Sequence, residues 1–82
     1  MIIRLADLAH EVWAHWMRYL FSVCIQNGDG SVTIPADKVA RWTRQMDTNY
    51  HDLPEREQKS DISQAKKYLV VFRDELDSLL AQ

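Results

Sequence analysis

The 82-residue chain has little of what marks a specialised class, and each shortage excludes something. It carries one cysteine, Cys24, so an internal disulfide and a paired-thiolate metal site are both out, and the framework must rest on apolar packing. Two glycines and two prolines are too few for a disordered or low-complexity segment. No run approaches the roughly eighteen uninterrupted apolar residues of a membrane span. Met1-Ile2-Ile3-Arg4-Leu5 passes at once into Asp7, His10 and Glu11, which leaves no apolar centre for a secretory signal. Ten basic residues against twelve acidic give a net charge of −2, with no general attraction for nucleic acid or an anionic membrane. These absences predict a soluble, cytoplasmic protein with no membrane segment and with nucleic acid disfavoured as a partner.

What is present is globular: 46% hydrophobic and 27% charged residues in a length that suits one domain, 1–82. Leu5, Leu8, Ala9, Val12, Trp13, Trp16, Met17, Leu20, Phe21 and Cys24 recur at three- and four-residue steps, which predicts a helix over about Ile3–Ile25. Asn27-Gly28-Asp29-Gly30 stops it, and the alternation of Ser31-Val32-Thr33-Ile34 predicts a short extended segment. Pro35, with Asp37 in the first turn, begins a second helix that presents Val39, Trp42, Thr43 and Met46 on one face and ends near Asp47. Thr48–Leu53 reads as a loop. Pro54 restarts helix, and because Asp61 and Gln64 have capping-box spacing, a short helix over Pro54–Lys59 and a long one from Asp61 are expected. In the long one Ile62, Ala65, Leu69, Phe72, Leu76 and Leu79 form a heptad-like seam, read here as packing on the first helix. The expected fold is mainly α: a compact bundle of three main helices, a short extra helix before the last, and an extended piece around Ser31–Ile34.

No set of residues supports catalysis or a metal. His10 and His15 stand five apart, so the imidazoles point about 140° from one another around a helix and cannot share an ion as four-apart histidines do. Asn27–Ile34 has the look of a calcium loop, but with Gly30 as its turn glycine the closing glutamate position falls on Ala36. Cys24 lies on an apolar stripe rather than beside a histidine, and the carboxylates of the last third, Glu57 among them, interleave with Arg56, Lys59, Lys66 and Lys67 as surface charges do. No cofactor is implied. Arg41 and Arg44 flank Trp42, a solvated helix face or a phosphate contact. Three tryptophans, Trp13, Trp16 and Trp42, are many for 82 residues, and tryptophan is favoured both in cores and at binding hot spots.

His10-Glu11-Val12-Trp13-Ala14, followed by Tyr50-His51-Asp52-Leu53-Pro54-Glu55-Arg56-Glu57-Gln58-Lys59-Ser60-Asp61, resembles the ryanodine receptor repeat (RyR) domain. That family carries a His-Glu-x-Trp start and a Tyr-x-Glu-Leu-Pro-Glu-x-Glu-Lys-x-Tyr-Asp-Arg stretch before its last helix. The chain departs from it in lacking a Gly-Trp-x-Tyr-Gly after the first helix and in having Ile62 and Asn49 where arginine and proline are usual, which suits a divergent, stand-alone bacterial or phage member. The resemblance implies a non-enzymatic module for nucleotide-like ligands or protein contacts, with His10, Glu11, Trp13, Tyr50, Leu53, Pro54, Glu55, Glu57 and Asp61 as the matching positions.

Two readings follow. In the first, Trp13, Trp16 or Tyr50 stacks a base-like ring while His10, Glu11, Arg41 and Arg44 orient its polar groups. In the second, the chain is a protein-interaction module, such as a phage inhibitor of a host defence protein, acting as a homodimer or on its target. Its interface would use Tyr68, Val70, Val71 and Phe72, because Tyr68–Phe72 is apolar around more of the helix than one contact needs.

Overall fold

The first helix forms where the apolar spacing places it. In the computed structural model, which describes residues 1–81, α1 spans Ile2–Val23. The backbone turns extended at Cys24 (φ −83°, ψ 157°) and enters β1, Ile25–Gln26. After a turn it returns as β2, Val32–Thr33, antiparallel to β1 with Ile25 opposite Thr33. Gly30 takes φ +91°, a conformation that only a residue without Cβ adopts cheaply. The Asn27 amide donates to Ser31 Oγ and Thr33 Oγ1 at 3.0 and 3.1 Å, tying the turn across its base.

Asp29 is held in the same turn by Ser31, whose hydroxyl and backbone N–H donate to Oδ1 at 2.6 and 2.9 Å. The hydroxyl first, then the N–H, keep the Asp29 carboxyl below the ordinary aspartate range. A carboxyl depressed in the folded state adds stability above its unfolded pKa, and that contribution is lost as pH falls through the folded value. Ser31→Ala should therefore move the Asp29 titration upward, as read by carboxyl NMR shifts. An unmoved titration would mean the backbone alone sets it.

Helix α2 covers Ala36–Met46, and Pro35 sits immediately before it with its carbonyl accepting from the Lys38 and Val39 N–H groups. A 3₁₀ turn at Tyr50–Asp52 follows, and α3 runs from Glu55 to Leu80. The fold is thus mainly α, with three helices, a short helical turn before the last, and a two-strand ribbon. Two boundaries differ from expectation. The short helix lies at Tyr50–Asp52 rather than Pro54–Lys59, pinned to α3 by Gln58 Nε2, which donates to the carbonyls of Tyr50 and His51. Nor does α3 break at Ser60-Asp61. Pro54 already supplies the start, no glycine or proline follows, and Asp61 sits mid-helix with its side chain on a cleft instead of capping.

Helices α1 and α3 run antiparallel. Arg4 bridges Asp74 and Glu75 at 3.3 Å each near one end, while Trp16 and Leu20 come to the side of Glu57 and Ser60 at the other. Exposed ion pairs of this kind contribute little, and the helix contact rests on Leu8 and Val71, both 8% exposed. Val71, grouped by sequence with an outer interface, belongs to this small core.

The heptad-like seam does not pack on α1. Ala65 and the five large residues Ile62, Leu69, Phe72, Leu76 and Leu79 are all exposed, Leu69 to 66% and Leu79 to 64%. The side of α3 turned to α1 is the neighbouring one, with Glu57, Gln64, Tyr68, Val71 and Glu75 buried or half-buried. The molecule is a slab of 55 × 35 × 16 Å with a radius of gyration of 17.1 Å, where a closed domain of this length has about 12 Å.

Candidate functional site

Two features of this slab have functional content: a cleft at the α2 end and an open apolar face. The cleft forms because aromatic side chains join α2 to α1. Trp16 meets Tyr19 with ring centres 6.2 Å apart, and Tyr19 meets Trp42 at 6.4 Å, both edge to face. Around them opens a hollow of about 590 Å³, lined by Trp16, Met17 and Leu20 of α1, Arg41 and Trp42 of α2, and Arg56, Glu57 and Asp61 of α3. The size suits a small organic molecule, with aromatic walls and cationic edges.

Glu57 is the cleft's buried charge, 9% exposed, although its first-turn position reads as a solvated surface. The reason is Arg44, whose Nη2 donates to Oε2 at 2.6 Å across thirteen residues of sequence and so compensates the carboxylate. The other oxygen, Oε1, is buried without a partner.

Of the ligand residues expected from sequence, Trp16 and Arg41 line the cleft, and Arg44 reaches it through Glu57. Tyr50 borders a second, shallower hollow with Trp42, Met46 and Leu53. His10, Glu11 and Trp13 lie farther up α1, outside both linings. There His10 and Trp13 stack at 5.6 Å with a 30° tilt, and Trp13 is 58% exposed. Tyr19, Arg56 and Glu57 are three of the cleft residues outside the expected ligand set, which also lacked Met17, Leu20, Trp42, Gln45, Ser60 and Asp61. The Trp16–Tyr19 spacing of three, one helical turn, was the available signal for the first; the other two depend on tertiary packing. Among the described residues no group of three His, Cys, Asp or Glu could hold a metal ion, and no helix is long and apolar enough to cross a membrane.

The open face comes from the antiparallel pairing. On α3 the seam lies about 110° around the axis from the residues that face α1, in the direction of increasing 100° steps. On α1 the exposed Ile2, Ala9 and Trp13 lie about 80° around, in the same sense, from the buried or half-buried Leu5, Leu8 and Val12. Antiparallel helices viewed from one end wind in opposite senses, so the two stripes open on one side of the slab. Val70 points away from that side, and Phe72 lies within it.

No family model, curated protein or solved structure matches the chain.

Proposed function

We propose that the chain is a non-enzymatic protein-association module that works in the cytoplasm. The observation that carries this reading is its uncovered apolar surface. Among the described residues, eighteen large hydrophobic side chains are exposed against three apolar residues buried. The accessible area is 6536 Å², while a closed monomer of 9.6 kDa exposes about 5,100 Å². The part of this surface gathered on the open α1–α3 face is an apolar patch of the kind that another molecule covers. The RyR resemblance implies a module for protein contacts or for nucleotide-like ligands and so fits either reading, and a phage-encoded inhibitor of a host defence protein is one form the first can take.

A second reading is favoured by the cleft. Trp16 and Trp42 both reach it, with Arg41 and Arg56 beside them, an arrangement suited to stacking a nucleotide-like ring and meeting its phosphate. Light scattering combined with affinity capture from a host lysate tests the first reading, and thermal shift with a nucleotide panel the second. Association predicts self-assembly, or a retained protein that competes with assembly. A monomer that retains nothing would remove it, as flat melting curves at millimolar nucleotide would remove the second.

A further inference from the structure

We infer that the open α1–α3 face is covered by a second copy of this chain, two slabs closing face to face so that their α1–α3 pairs form a four-helix core. The inference rests on the association reading and names its partner. Domains are built from two packed layers, and a slab 16 Å thin holds little more than one layer of helices, each 10–12 Å across with side chains. The second copy supplies the missing layer.

The area fits this occupant. The chain exposes roughly 1,400 Å² more than a closed monomer of its mass. Two copies together carry roughly 2,800 Å² of such excess, and even half of it, about 1,400 Å², is the size of a specific protein–protein interface. The chemistry fits as well. A two-fold interface sets the same patch against itself, so a patch with charge of one sign repels its own copy. Here Ile62, Leu69, Phe72, Leu76 and Leu79 of α3, with Ile2 and Trp13 of α1, present no charge at all. Flat repetition every three and four residues also keeps the α3 stripe facing a neighbouring helix along its whole length, the arrangement by which helices pair in bundles. Among the described residues the seam has no such neighbour within its own chain.

The test is sedimentation equilibrium of the full chain, from low micromolar to several hundred micromolar. The expected mass is about twice 9.6 kDa. The double substitution Leu69→Lys and Leu76→Lys, which would bury ammonium groups at the contact, should give the single-chain mass, while Ser63→Lys on the outer side of α3 keeps the dimer. If the double variant does not fold, the melting temperature of the unmodified chain decides: coupled folding and pairing makes it rise with protein concentration. A single-chain mass throughout, with a concentration-independent melt, overturns the inference, and a host protein retained by that monomer would still leave the association reading standing. A dimer that survives the double substitution removes this face from the contact and leaves self-association intact.

Discussion

Leu8→Ala lowers the stability of the chain by about 3 kcal/mol, read as a shift of the urea midpoint at fixed protein concentration. Leu8 is the one buried residue of α1, and Val71 the one buried apolar residue of α3. Truncating a buried leucine removes its transfer free energy and leaves a cavity that neighbours fill only in part, which together cost 2–5 kcal/mol in cores. With so few buried side chains, no second cluster within the chain takes over the α1–α3 contact. A loss below about 1 kcal/mol would mean that the helix pair is held elsewhere, by the Arg4 ion pairs or by a partner.

Arg44→Ala should be nearly as damaging, at about 3 kcal/mol, because it strands the Glu57 carboxylate in a buried site whose other oxygen already lacks a partner. Glu57→Gln should cost about 1 kcal/mol, since a neutral amide still accepts from Arg44 and leaves no uncompensated charge. The asymmetry is the signature of burial. Arg44 is half exposed and can be solvated alone, whereas Glu57 cannot. Equal losses in denaturation at neutral pH would show instead an ordinary surface pair, and the cleft would lose its charged floor.

How much of this was legible from sequence follows the range of the interactions. Helix starts at Pro35 and Pro54 and the stop after Val23 came within a residue or two, because proline geometry and apolar periodicity act over a single turn. The false break at Ser60-Asp61 shows the limit of that logic. A residue able to cap does so only where the backbone leaves hydrogen bonds open, and in α3 it does not. Glu57 is the same lesson for the site: a glutamate in a first helical turn looks solvated until an arginine from another helix arrives.

The amino-acid sequence by itself determined the elements: three amphipathic helices, a polar turn at Asn27–Ser31, and an apolar seam spaced to face another helix. Which side of each helix turns inward was decided only in three dimensions. The α1 stripe is wider than one helix contact can cover, and α3 is apolar on two adjoining sides, so periodicity alone is satisfied by either. Antiparallel packing through Leu8 and Val71, with Arg4 fixed on Asp74 and Glu75, turned the Val71 side of α3 inward and left the heptad-like seam on the surface.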